Sequence, residues 1–120
     1  MMISAFLLEN IMDYERRFSG LNRLYQDDAT AILQHSHVVV AGVGGVGSWC
    51  VEALARSGVG YITLIDLDVV AESNINRQLP ALTSTLGESK IEVVRQRIME
   101  INERCCGTLV DDCLTDGSLG

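Results

Sequence analysis

One stretch limits this chain more than any other: Val38-Val39-Val40-Ala41-Gly42-Val43-Gly44-Gly45-Val46-Gly47. The β-branched run predicts a strand. It opens straight into glycines at 42, 44 and 47, spaced G-x-G-x-x-G, with a further glycine at 45. Residues 48–57 then read as a helix closed by Gly58. Strand, glycine turn and helix in this order make a phosphate cradle. Glycine permits the tight turn and a close backbone approach, and the helix start offers unpaired N–H groups to an anion. The spacing alone is a weak signal, but it stands in the strand-to-helix context that its mechanism requires.

The elements around the turn extend the pattern. His37 to Ala41 is a continuous run of the kind buried on both faces of a parallel sheet. Val46, Cys50, Ala53, Leu54 and Ser57 recur at helical spacing and predict the stripe that packs on the sheet. Val59-Gly60 leads into a second strand, Tyr61 to Asp66, completing a βαβ unit with a right-handed crossover. Upstream, residues 5–18 and about 22–34 read as two helices parted by Ser19-Gly20, the second turning Leu24, Ala31 and Ile32 inward. Arg16, Arg17 and Arg23 read as solvated cations paired with nearby acids. Downstream, Ser89 and Glu92 predict a capping box. Ile91, Val94, Ile98 and Ile101 predict the buried stripe of the last helix, and Gly107 to Asp111 a third strand.

Polar residues cluster where the strands end. Asp66 stands about 20 residues beyond the last glycine, where an acid accepts hydrogen bonds from a ribose. Asp68 follows it, and both also fit ordinary loop carboxylates. Asn74, Asn76, Arg77 and Gln78 fall in the next loop. Alone, that is a polar loop; beside a phosphate cradle, Arg77 is a candidate clamp, because its planar donor fork matches phosphate oxygens. Lys90 falls at the first position of the last helix, where a cation opposes the helix dipole. Its place there predicts an anion outside the helix, with an exposed surface lysine as the alternative. A dinucleotide fold explains the glycines and Asp66 but leaves Arg77 and Lys90 idle. A nucleoside triphosphate uses them all: ribose on Asp66, phosphates on the glycines, Arg77 and Lys90 on the charge of departing pyrophosphate.

Composition narrows the class. The chain has 120 residues, 48% hydrophobic, with one proline, which predicts a single packed domain. Its net charge of −7 makes it a poor stand-alone binder of nucleic acid. The apolar start, Met1 to Leu8, lacks the basic residues of a signal peptide, and no run approaches the roughly 20 apolar residues of a membrane span. A soluble, cytoplasmic protein is expected. Cys50, Cys105, Cys106 and Cys113 form no C-x-x-C pair, and His35 and His37 lie at no zinc-ligand spacing from them. Reduced, mostly buried thiols are expected, and no metal site.

At this point the sequence resembles a known family. Gly42-x-Gly44-Gly45-x-Gly47, Ser57-Gly58-Val59-Gly60, Asp66-Leu67-Asp68, Asn74-Ile75-Asn76-Arg77-Gln78 and Gly87-Glu88-Ser89-Lys90 look like the adenylation domain of ubiquitin-activating enzymes. Bacterial relatives in that family activate the sulfur carriers of thiamine and molybdopterin synthesis. The resemblance runs from about Arg17 to Asp112. Within the family, Arg17-Phe18-Ser19-Gly20-x-x-Arg23-Leu24-Tyr25, Gly47-Ser48-Trp49 and Asn74-x-Asn76-Arg77-Gln78 look most like the branch that dehydrates threonylcarbamoyladenosine in tRNA.

The resemblance implies an α/β, Rossmann-like three-layer fold with a parallel sheet. The chain would be the first βαβαβ half of a larger doubly wound domain: an N-terminal helical segment over 1–36 and part of the ATP-binding domain over 37–120. It implies carboxylate activation with ATP and Mg2+. In the dehydratase branch the carboxylate belongs to the threonyl group on tRNA; in the alternative branch it is the C-terminus of a ubiquitin-like sulfur carrier, with sulfur-transfer partners. Asp66 would hold the ribose, with Asp68 beside it, and Gly42, Gly44, Gly45 and Gly47 would line the phosphates. Asn74, Asn76, Arg77, Gln78 and Lys90 would bind and polarise the phosphate chain. In family homodimers an N-terminal arginine reaches the partner's ATP; Arg17 or Arg23 would serve, because Gly20 stands where the sulfur-carrier branch has its arginine. The magnesium aspartate, any family cysteine and the basic tRNA surface are expected beyond this half. Two competing readings are a non-catalytic nucleotide-binding module and a fragment of an NAD-dependent oxidoreductase.

Overall fold

The computed structural model describes residues 14–25 and 28–111. Its elements are α1 (Gly20–Leu24), α2 (Ala29–Gln34), β1 (His37–Ala41), α3 (Gly47–Arg56), β2 (Tyr61–Ile65), α4 (Lys90–Ile101) and β3 (Cys106–Val110). Residues 14–18 are also helical, and short 3₁₀ turns cover Glu72–Asn74 and Thr83–Thr85. The strands lie in the order β1-β2-β3, all parallel, with His37 beside Tyr61 and Tyr61 beside Cys106. This is the Rossmann-like β-α-β-α-β half expected from the sequence. The start of the predicted helix over 5–18 and Cys113 lie outside the described residues.

The core forms between one sheet face and two helices. Val40, Ile62 and Leu64 from the strands meet Val51 and Ala55 of α3 and Ile91, Val94 and Ile98 of α4. The α4 stripe is the predicted one. The α3 stripe holds only in part: Leu54 packs on the core, but Val46, Cys50 and Ala53 face outward, Val46 at 86% exposure, while Ser48, Val51 and Ala55 are buried. Close packing of Gly47 on the end of β1 sets the helix's rotation, and periodicity could not see that constraint. The opposite sheet face, expected to be buried, is open. Val39, Tyr61 and Val110 are exposed on it, because both crossover helices of a right-handed β-α-β-α-β unit lie on the same side.

The N-terminal helices also depart from expectation. Ser19 does not interrupt the chain: its N–H donates to Glu15 O at 2.9 Å and its φ of −61° and ψ of −24° are helical. The break falls later, at Tyr25 (φ −117°, ψ −82°). Across it Asn22 Oδ1 accepts from both the N–H and the hydroxyl of Thr30, at 3.0 and 3.1 Å, which starts α2 afresh. Leu24, Ala31 and Ile32 are exposed rather than inward; Leu33 is the residue that packs on the core. This layer is anchored by Tyr14, whose hydroxyl donates to Gly58 O at 3.2 Å and whose ring stacks on Phe18 and under the Arg104 guanidinium. Gly58 ends α3 at φ +80°, as expected.

The cysteines are not mostly buried: Cys50 and Cys106 are exposed, and only Cys105 of the described three is buried. Burial, then the neighbouring Cys106, pushes the Cys105 thiol up to about 11. No helix among the described residues is long and apolar enough to cross a membrane.

One ion-pair cluster joins the two crossover helices. Glu52 on α3 accepts from Arg97 Nε and Nη2 at 2.6 and 2.9 Å and from Arg56 Nε at 2.8 Å. The Arg97 hydrogen bonds, and to a lesser degree those of Arg56, hold the Glu52 carboxyl below its usual range. A lowered folded-state pKa contributes stability that is present above the unfolded value and disappears as pH falls through the folded one. Glu52→Gln is therefore expected to lose about 1 kcal/mol near neutral pH. In urea unfolding at a series of pH values, the gap from the parent chain should close below pH 4.5, the ordinary glutamate value.

Candidate functional site

The site lies where the parallel strands end. Gly42 closes β1 with φ +86° and donates its N–H to Ile65 O at 2.7 Å. Gly47 then starts α3 so close to Gly42 that a β-carbon on it would meet the Gly42 carbonyl oxygen at 1.7 Å. Between them the chain is turned outward, and among the described residues nothing bonds the N–H groups of Gly44, Gly45 and Val46. Ser48 fixes the turn from inside: its hydroxyl donates to Gly44 O and accepts from Leu79 N–H at 3.2 Å.

Asp66, the first residue past β2, is tied to the same turn. Its Oδ2 accepts from Val43 N–H and its Oδ1 from Asp68 N–H, both at 2.9 Å. A carboxylate offers about four acceptor positions, so capacity remains for further donors. Asp68 continues the chain of contacts. Its carbonyl accepts from Lys90 N–H at 3.1 Å, and its Oδ2 lies 3.8 Å from Lys90 Nζ.

Lys90 is thus the buried lysine, its side chain 7% exposed, and not the surface one. The Ser89–Glu92 capping box is absent: α4 has no side-chain cap. Ser89 instead pairs with Val69 in an antiparallel bridge, and the Lys90 N–H that needs a partner finds Asp68. Tertiary pairing has replaced the local cap.

The loop over 74–79 folds back across the glycines. Trp49 Nε1 donates to Arg77 O at 3.0 Å, pinning the loop to the first turn of α3. The Arg77 stem passes 3.7 Å from where a Gly45 β-carbon would be, and the Gln78 amide 3.5 Å from that of Gly44. Arg77 Nη1 donates to Ser73 O and to Asn76 Oδ1, each at 3.0 Å, so Asn76 orients the arginine. Asn74 Oδ1 accepts from Ala71 N–H at 2.8 Å and closes the 3₁₀ turn. Gln78 is buried, and among the described residues its Oε1 has no partner.

The structure therefore brings Gly42, Gly44, Gly45, Gly47, Asp66, Asp68, Asn74, Asn76, Arg77, Gln78 and Lys90 to one sheet edge. It does not bring Arg17 or Arg23 there. Arg17 Nη1 donates to Ile101 O at 3.1 Å, at the end of α4 that leads into β3, and Arg23 is exposed on α1, whose Leu21 lines a cavity with Ser57 and Val59, ahead of β2. Both are at the opposite edge. Ser48 and Trp49, singled out in the sequence only within the motif Gly47-Ser48-Trp49, are the positioning residues to which pattern reading gave no role. A hydroxyl directly after the last glycine and a donor-bearing ring one residue on were the available signals. Among the described residues no three His, Cys, Asp or Glu side chains converge as a metal site.

A Rossmann-like half-domain with a glycine turn, an acid at the end of its second strand, Arg77 beside the turn and a lysine enclosed next to Asp68 has the layout of a nucleotide-binding unit. Residues 14–118 match the model of the ThiF family, and the chain belongs to that family. It is 50% identical over 109 residues to a tRNA threonylcarbamoyladenosine dehydratase of Haemophilus influenzae, covering 91% of this chain and 42% of that protein. A molybdopterin-synthase adenylyltransferase of Escherichia coli is more distant, 33% identical over 111 residues, covering 92% of this chain and 44% of the relative. The crystal structure of the E. coli tRNA N6-threonylcarbamoyladenosine dehydratase in complex with ATP superimposes with a TM-score of 0.85 at 48% identity, covering 88% of this chain and 43% of that one. The chain spans less than half the length of these relatives.

The turn separates two uses of glycine. A β-carbon on Gly45 would make only ordinary contacts, at 3.7 Å or beyond, so the apo fold does not require glycine there. Gly45→Ala is expected to leave unfolding free energy within about 0.5 kcal/mol of the parent. It should weaken nucleotide binding severalfold, because the added methyl occupies space that a phosphate would need. Paired urea melts and calorimetric titrations with ATP check this; unchanged affinity would take Gly45 out of the site.

Proposed function

We propose that the chain is the ATP-holding part of an enzyme that adenylates a carboxylate, and that the whole protein cyclises threonylcarbamoyladenosine in tRNA. The observation that carries this is the convergence of the glycine turn with Arg77 and the enclosed Lys90, linked through Asp68 and Asp66 to the turn's own backbone. Two cations exceed the needs of a neutral ribose and suit a reaction in which negative charge builds on departing phosphates. The identity of 50% to a dehydratase, against 33% to a sulfur-carrier adenylating relative, favours tRNA over a protein C-terminus.

In this reading the spare acceptor positions of Asp66 take the ribose hydroxyls, with Asp68 holding Lys90 beside them. The free N–H groups of the glycine turn receive phosphate oxygens. Asn74 and Asn76 shape and orient the loop, Gln78 turns its amide to the nucleotide, and Arg77 and Lys90 hold the phosphate chain in line. A carboxylate oxygen attacks the α-phosphorus and pyrophosphate departs; the carbamoyl group of the same modification then attacks the activated carbonyl carbon, closing the ring and expelling AMP. Magnesium would travel with the ATP. The protein works in the cytoplasm as a homodimer, and Arg23, exposed and away from its own glycine turn, is the N-terminal arginine left to reach a partner's.

Calorimetric titration of the chain with magnesium-ATP and, separately, with NAD tests this. ATP should bind and NAD should not. NAD binding in preference to ATP would replace adenylation with dinucleotide chemistry, and binding of neither would remove the nucleotide site from this chain.

A further inference from the structure

Toward the sheet edge opposite the glycine turn, Arg17, Phe18, Arg56, Arg97, Glu100 and Ile101 line a pocket of about 430 Å³. Three of the chain's nine cationic side chains meet there, in a protein of net charge −7. None of them takes part in the site described above. The acids facing them are Glu100 on the pocket wall and Glu52 behind it.

Glu52 acts as a brace. It engages Nε and Nη2 of Arg97 and Nε of Arg56. A guanidinium carries five N–H donors in a planar fork, so Arg97 Nη1 and both terminal nitrogens of Arg56 keep donors to offer. Arg17 gives one bond from Nη1 to Ile101 O and retains the rest of its fork. The two braced arginines have lost much of the rotamer freedom that a ligand would otherwise have to freeze. Forks of this kind match the oxygens of a phosphate group. The pocket volume exceeds that of a single oxyanion and leaves room for flanking sugars.

We propose that this pocket is a phosphate site distinct from the glycine turn, and that it holds a backbone phosphate of the RNA on which the protein acts. The RNA source rests on the function proposed above; the phosphate chemistry rests on the three arginines. It also gives an acidic chain a local means of engaging a polyanion, since three of its nine cations are gathered at one place.

Fluorescence anisotropy of the chain with a labelled RNA stem-loop, at one fixed salt concentration, tests the site, with inorganic phosphate as competitor. Arg56→Ala is expected to weaken RNA binding about tenfold, the scale of a lost charge-assisted bond. Arg56→Lys should recover only part of it, because charge returns without the fork. Arg95→Ala removes an equal charge from the exposed surface of α4 beside Gly107 and should change affinity by less than about twofold. Phosphate should displace RNA from the parent chain. Saturable phosphate binding that Arg56→Ala weakens, with no RNA binding, would assign the pocket to free phosphate and overturn the RNA claim. Equal losses for Arg56→Ala and Arg95→Ala, or no response to either ligand, would overturn the site. A parallel ATP titration of the parent chain keeps the two ideas separable: ATP binding with an inert pocket defeats this proposal alone, and a responsive pocket without ATP binding defeats the proposed function alone.

Discussion

Gly47→Ala is expected to destabilise the chain by about 3 kcal/mol or more and to abolish nucleotide binding. The new β-carbon would lie 1.7 Å from the Gly42 carbonyl oxygen and 2.9 Å from its carbon. Both are backbone atoms, so no rotamer change relieves the overlap. Either α3 lifts from the end of β1 or Gly42 gives up its 2.7 Å bond to Ile65 O. Lifting α3 also opens the core, because Ser48, Val51 and Ala55 are buried on that helix. A loss of this size should lower Tm by about 10–20 °C in a domain of this length. Thermal unfolding followed by circular dichroism, run beside Gly45→Ala, checks it. If Gly47→Ala melts with the parent chain, the close approach of Gly42 and Gly47 is not what shapes the turn.

The second large effect concerns Arg77. Arg77→Ala is expected to weaken magnesium-ATP binding by about 1–3 kcal/mol, the scale for hydrogen bonds to charged groups. AMP affinity should fall much less, since the arginine would act on the outer phosphates. The fold should be spared. Among the described residues Arg77 donates its side-chain bonds only to Ser73 O and Asn76 Oδ1, within an exposed loop, while the loop's anchor uses the Arg77 carbonyl, which alanine keeps. Arg77→Lys should recover part of the binding, because charge returns without the planar fork. Calorimetry with ATP and AMP on all three chains separates the outcomes. Equal losses for ATP and AMP would move Arg77 away from the outer phosphates, and no loss for either would remove it from the site.

Much of this architecture was legible because local signals agreed with one another. The β1 residues, the glycine spacing and Gly58 each carry backbone information that no distant contact has to supply, and β1, β2 and β3 fall within a residue of their predicted positions. The gathering of Asp66, Arg77 and Lys90 was legible for a related reason: in parallel sheets the residues just past successive strands share one edge. What was illegible depended on partners far away in sequence. The rotation of α3 is set by Gly42, the break at Tyr25 by the Asn22–Thr30 contact, and the uncapped start of α4 by pairing of Ser89 with Val69. The Glu52 brace joins positions 45 residues apart, and only the packing of α3 on α4 reveals it.

The open face of the sheet has a consequence for handling the molecule. Among the described residues the outer edge of β1 pairs with no other strand, and the row His37-Val38-Val39-Val40-Ala41 carries no lysine, proline or bulge to blunt it. Val39, Tyr61 and Val110 add an apolar surface beside that edge. Natural sheets shield such edges because an unpaired strand templates intermolecular pairing. Light scattering from this chain should therefore rise with protein concentration, and a single lysine at Val39 should suppress it.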